Sequence, residues 1–240
     1  MKWILPFAIV VIASCGQEKR ASVKVEHYGA LKNFMHKNDL SAKVDLQKFN
    51  DVEHYYALGA LENLKGEILF YDSKVFISVF MPGEEKSLIR VSNTRQNKAA
   101  LLVGAQVNNW STTEIPAEIK SYEQLESFVE SAAFENGVDT SAPFPFLLEG
   151  TMDTLGWHII NWPENDSVHT HQKHQTSGAH DWHTKYECQI LGFYSKHHHA
   201  VFTHHTTNMH MHFKNTTGSL AGHVDKLALG EGTILKLPLN

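Results

Sequence analysis

The spacing of apolar and polar positions changes character along the chain. From Tyr28 to Leu46 apolar residues recur at three- and four-residue intervals (Tyr28, Leu31, Phe34, Met35), which predicts short amphipathic helices. Next, Ala57 to Leu61, Glu67 to Tyr71 and Val75 to Phe80 are separated by the turn signals Lys65-Gly66 and Asp72-Ser73, the pattern of strands joined by tight turns. Tyr122, Leu125, Phe128, Val129, Ala132 and Ala133 then form one helical stripe. Ser121 and Gln124 supply a capping box at its start, and Asn136-Gly137 a stop at its end. Beyond the breaker-rich segment from Ser141 to Pro145 the chain turns to β-branched, aromatic and histidine residues, and no further helix is predicted. The pattern divides the body near that segment, into 23–140 and 141–240, and shows no fixed-period repeat.

Composition adds a core and a location. With 42% apolar and 20% charged residues among 240, the chain can bury a hydrophobic interior. Its start runs from Met1-Lys2-Trp3 through an apolar stretch, Ile4 to Ala13, into Ser14-Cys15-Gly16. This basic, then hydrophobic, then small-residue order is that of an export signal over residues 1–14, too short to span a bilayer. Val11 to Cys15 resembles the lipobox of bacterial lipoproteins. That resemblance implies lipidation at Cys15, a polar tether over 15–22, and a membrane-anchored exported protein. Only Cys188 then remains, which excludes an intrachain disulfide. Formal net charge is −5, and the acidic balance speaks against a nucleic-acid partner.

Histidine usage points to chemistry. The chain has 17 histidines, crowded between His169 and His223. In Asn208-Met209-His210-Met211-His212-Phe213 alternation predicts a strand, and its period of two places both imidazoles on one face. A polar turn, Thr216 to Ser219, leads into Ala221-Gly222-His223-Val224, a neighbouring strand able to bring a third imidazole to that face, with Gly222 allowing close backbone approach. Three neutral imidazoles on one divalent ion leave a coordination position open, the catalytic pattern. Nitrogen donors favour Zn²⁺, and nickel, cobalt or iron also fit. Neighbours within His197 to His199 and His204-His205 point opposite ways on a strand and are expected around the site or at the surface. His169, His171, His174, His180 and His183, among Gln, Thr, Ser and Gly, are expected in an exposed loop.

The hairpin His210-Met211-His212-Phe213 with Gly222-His223-Val224-Asp225 resembles the metal-binding hairpin of α-acetolactate decarboxylases. Gly192-Phe193-Tyr194, Glu149-Gly150-Thr151, and Leu58-Gly59-Ala60-Leu61 with Gly66-Glu67 resemble other segments of that family in the same order, so the likeness covers most of 24–237. It implies an α/β fold of two β-rich halves, a mixed sheet and an antiparallel barrel-like sheet, with a few helices and usually as a homodimer. It further implies a zinc-dependent carboxy-lyase converting the hydroxy-keto acid 2-acetolactate into acetoin and carbon dioxide through a metal-stabilised enediolate. Glu67 falls at the family's catalytic glutamate, where a carboxyl group with a raised pKa could deliver the proton.

Two departures stand out. His158 occupies the place of the family's substrate-binding arginine, giving one contact, charged only when protonated, in place of a bidentate clamp. Near the C-terminus only Glu231 is available for the family's acidic residue there. The lost arginine is consistent with a metal-dependent lyase or isomerase of another hydroxy-keto compound, such as a sugar derivative. A third reading is a lipid-anchored histidine-rich metal-binding protein that loads ions on the segment from His169 to His183.

Overall fold

The computed structural model describes residues 22–83 and 88–239. Cys15, the export signal and nearly all of the tether lie outside them. Among the described residues no helix is long and apolar enough to cross a membrane.

In chain order the elements are β1 (Val25–Tyr28), α1 (Leu31–Lys37), β2 (Val44–Asp45), β3 (Tyr55–Leu61), β4 (Glu67–Tyr71), β5 (Lys74–Met81), β6 (Leu88–Ser92), β7 (Lys98–Gln106) and β8 (Trp110–Glu114). They continue with α2 (Tyr122–Glu135), β9 (Phe144–Ile159), α3 (His171–Thr176), β10 (Ala179–Tyr194), β11 (Met209–Asn215), β12 (Ala221–Leu229) and β13 (Ile234–Pro238). The short helices expected before residue 46 reduce to α1 and a 3₁₀ turn at Leu46–Phe49. The strands on either side of Lys65-Gly66 and Asp72-Ser73 form as predicted. So does α2, where the Ser121 side chain accepts from the Gln124 N–H and the Gln124 side chain accepts from the Ser121 N–H.

The first sheet has the order β1-β7-β3-β4-β5-β6, with β2 also on β7. The second runs β10-β11-β12-β9-β13-β8, and a further β9–β10 pairing closes β9, β10, β11 and β12 into a ring. Two β-rich halves with few helices are as expected. In one detail the first sheet differs from the mixed sheet anticipated: its pairings are antiparallel. Short turns such as Asp72-Ser73 leave no room for the crossover a parallel pair requires. The sheets also part earlier than residue 141. β8 already pairs with β13, and Leu125, Val129 and Ala133 of α2 pack into the core of the second sheet with Phe146, Ile190, Met211 and Phe213.

Period-two alternation decides what each face meets. Leu69 and Tyr71 of β4 point between the sheets, against Leu147, Leu191 and Phe193. Ile68 and Phe70 point the other way, under Leu46 and Phe49. Glu67 shares the face of Leu69, while His212 and His210 stand opposite Leu191 and Phe193 in register. A carboxyl group and several imidazoles are thereby placed in a layer otherwise filled with apolar side chains. An uncompensated carboxylate there costs several kcal/mol, so the fold carries this cluster at the expense of stability.

Candidate active site

The cluster is built as a row across three strands. His212 on β11 pairs with His223 on β12, and His223 pairs with His158 on β9. His210 lies two residues before His212 on the same face. Gly222 lets these strands approach: a Cβ there would sit 2.8 Å from the His158 carbonyl oxygen. His210 Nε2 and His212 Nε2 stand 3.2 and 3.4 Å from His223 Nδ1. A tetrahedral zinc ion with bonds of about 2.0–2.1 Å holds its nitrogens about 3.3–3.4 Å apart. The two separations to His223 match what one such ion requires, the three donor nitrogens all lie within 4.8 Å of one another, and the donor set fits a divalent transition metal.

Burial keeps these rings ready for a cation. It pushes His210 down to about 4, and His212 and His223 well below the ordinary imidazole value, with neighbouring histidines adding to the effect. Neutral imidazole is the form that donates a lone pair.

Glu67 reaches the row from the opposite sheet. Its Oε2 is 3.6 Å from His212 Nε2 and its Oε1 is 3.7 Å from His158 Nε2, while the Ile160 N–H donates to Oε1 at 3.1 Å. Burial raises its pKa to about 7, against the opposing pull of His158 and the Ile160 N–H. His158 shows the reverse balance. Burial, its largest influence, lowers it, but the hydrogen bond and charge of Asp225 together with the charge of Glu67 leave it raised. Its Nδ1 donates to Asp225, 2.9 Å from each carboxylate oxygen, which leaves Nε2 turned toward Glu67.

Asp225 was not singled out from the sequence as a site residue. It sits at a β-bulge between Val224 and Lys226, a device that re-aims a side chain. An acidic residue two positions after a candidate ligand was the available signal. The Gln175 side chain also donates to Asp225, at 2.8 Å, and so ties α3 to the row.

The segment from His169 to His183 departs from the expected exposed loop. His171 and His174 lie on α3, whereas His180 and His183 lie on β10. His169 stacks on Trp162 with ring centroids 4.1 Å apart, its Nδ1 is 2.9 Å from His174 Nε2, and half-buried His174 is pushed down to about 3. Thr170 caps α3 by accepting from the Lys173 N–H, so a polar, histidine-rich stretch with no apolar stripe is helical through its cap and tertiary contacts. Elsewhere, His198 Nδ1 lies 2.8 Å from Ser195 Oγ and His199 Nε2 lies 2.7 Å from Asn208 Oδ1, away from the row. His171 and His204, with rings 4.6 Å apart, line the cavity that opens onto it.

That cavity holds about 680 Å³ and is lined by Glu67, His158, His210, His223 and Asp225, with Tyr122 of α2 and Gln175 of α3 on its walls. Among the described residues no arginine lines it. Comparison with known proteins decides the family: the sequence profile of α-acetolactate decarboxylases matches residues 55–237. The chain belongs to the α-acetolactate decarboxylase family. The fold agrees. An acetolactate decarboxylase from Bacillus subtilis subspecies spizizenii superposes with a TM-score of 0.69 at 13% identity, over 90% of this chain and 86% of that one. The α-acetolactate decarboxylase of Bacillus subtilis strain 168 gives 0.67 at 11%, with the same coverage. A Staphylococcus aureus protein of unknown function similar to α-acetolactate decarboxylase gives 0.65 at 12%, over 88% and 84%. No curated protein matches the chain by sequence. Family and fold together support a decarboxylase-like function.

Proposed function

We propose that this protein is a divalent-metal-dependent carbon–carbon lyase of the acetolactate decarboxylase type, with zinc as the metal, releasing carbon dioxide from 2-acetolactate to leave acetoin. The observation that carries this reading is the convergence of His210, His212 and His223 nitrogens at 3.2 and 3.4 Å beside a buried carboxyl group poised near neutrality.

His210, His212 and His223 would hold the ion, which when bound supplies a Lewis acid to the adjacent oxygens of a hydroxy-keto substrate. In the reaction the bond to the carboxylate carbon breaks, the electron pair stays with the remaining skeleton, and one proton completes the product. Glu67 is the group suited to move that proton: near pH 7 both its protonated and ionised forms are populated, the condition under which a carboxyl group both gives and retakes a proton efficiently. The Ile160 N–H holds Oε1 in place, and His158, oriented by Asp225, presents its Nε2 edge to the same carboxylate. The apolar layer around Leu69 and Leu191 keeps bulk water from Glu67.

Purified protein incubated with 2-acetolactate should release acetoin. A chelator should abolish release, and added zinc should restore it. Metal-loaded protein that yields no acetoin above the spontaneous rate would overturn the assignment. One observation favours a second substrate class: a cavity of about 680 Å³ without arginine exceeds what a five-carbon acid fills. Larger hydroxy-ketones, sugar derivatives among them, belong in the same assay. The metal-loading reading has less support, since no three of the histidines from His169 to His183 come within reach of one ion among the described residues.

Export and lipidation at Cys15 complete the proposal. Replacing Cys15 with Ser should move the protein from the membrane fraction to the soluble one. An unchanged distribution would remove the anchor.

A further inference from the structure

A second cleft, of about 1160 Å³, lies toward the other end of β11 from the opening described above. Its walls are the β4–β5 turn, the segment from Asn93 to Gln96 and the β11–β12 turn. β11 serves both places, since Lys214 follows His212 by two residues on the same face. Lys214 is 8% exposed. Its Nζ lies over the rings of Tyr71 and Phe76, 5.1 and 5.5 Å from their centres, and donates to Gln189 Oε1.

The charge pattern of this cleft is at odds with the rest of the molecule. Lys74, Arg95 and Lys214 all line it, in a chain whose net charge is −5. Asp72 is the carboxylate in its lining, and that group is 2.9 Å from His54 Nδ1. Glu149, the nearest acid behind Gln189, is engaged by Lys236 at 2.7 Å and by the Tyr71 hydroxyl at 2.7 Å. Among the described residues neither Lys74 nor Lys214 has a carboxylate within ion-pair distance. Arg95 is fixed at the wall by donating to the carbonyls of Asn50 and Ser73, which preorganises its guanidinium while leaving other N–H groups free. A buried amine with ring faces and an amide oxygen for company, but no counter-charge, is a partly completed anion site.

We infer that this cleft binds a small, multiply charged oxyanion of the phosphate class between Lys74, Arg95 and Lys214. The inference is independent of the chemistry at the histidine row. Hydroxyls of Thr216 and Thr217 at the rim are additional donors for such an ion.

Inorganic phosphate, titrated at low ionic strength into the full chain carrying His212→Ala, so that no metal competes for it, tests this by calorimetry and by backbone amide shifts. Binding should shift the amides of residues 216–218. Lys74→Ala, at an exposed position that leaves the fold alone, should weaken it about tenfold, and Lys214→Met, which preserves buried volume, should weaken it at least as much. Citrate in a parallel arm separates a polycarboxylate from a phosphate: tighter citrate binding with the same dependence on both lysines keeps the oxyanion site and changes its source. Absence of phosphate and citrate binding up to concentrations on the order of 10 mM, or binding that neither substitution weakens, would overturn the proposal.

Discussion

Zinc affinity at the histidine row should fall in acid much less steeply than at an ordinary three-histidine site. A metal ion requires each imidazole neutral. Free imidazoles titrate near 6.5, so a drop from pH 7.5 to 5.5 costs about tenfold per ring, about 10³ for three rings or about 4 kcal/mol of binding. Here burial holds His210 at about 4 and His212 and His223 well below the ordinary value, so all three are already neutral across that range. The proton the ion displaces is that of Glu67, raised to about 7 and 3.6 Å from His212 Nε2, whereas that of His158 is held by Asp225, 2.9 Å from its Nδ1. A cation beside Glu67 favours its ionised form, so binding expels the proton and affinity declines as pH falls through 7. Full expulsion accounts for at most about 25-fold between pH 7.5 and 5.5. Competition of zinc against a chromophoric chelator across this range measures the slope. It should not exceed one decade per pH unit, and it should flatten in Glu67→Gln. A loss near a thousandfold, with a slope approaching three, would refute the view that these rings are held neutral by burial.

Other outcomes follow from the same geometry. His212→Ala should lower zinc affinity by more than about 10²-fold, beyond what loss of an outer partner costs, and abolish acetoin release with it. Glu67→Gln should still bind zinc, though more weakly at pH 7.5 because the neighbouring negative charge is gone, and should lower kcat by about 10²- to 10⁴-fold, the scale of a lost acid/base group; unchanged turnover would remove Glu67 from the reaction. Asp225→Asn leaves buried His158 without its charge partner and should destabilise the fold by about 3–5 kcal/mol in thermal unfolding. Because the pKa of His158 is raised in the folded state, that contribution is complete below the unfolded value of about 6.5 and is lost as pH rises through the folded one; the gap between wild type and variant should narrow in that direction. Gly59→Ala should cost about 1–3 kcal/mol or more, since a Cβ there would lie 2.0 Å from the Leu101 carbonyl oxygen and force β3 away from β7; an unchanged melting temperature would contradict that packing.

Local pattern alone determined a good part of this protein. Turn residues at Lys65-Gly66 and Asp72-Ser73 specify the β3–β4–β5 meander, the Ser121–Gln124 box starts α2, and alternation through Met209, His210, Met211 and His212 puts two imidazoles on one side of a strand. These rules act over a few residues, where backbone geometry and side-chain period leave little choice. Tertiary structure decided the rest: that β8 crosses to the second sheet, that β9 to β12 close into a ring, and that residues 171–176 wind into a helix tied to Asp225 by Gln175. It also decided that Glu67, 91 positions before His158, faces it across the layer between sheets, and that a bulge turns Asp225 toward the same histidine. Alternation says which face a residue occupies but not which strand lies opposite, because pairing between distant segments is settled by burying all the apolar faces at once.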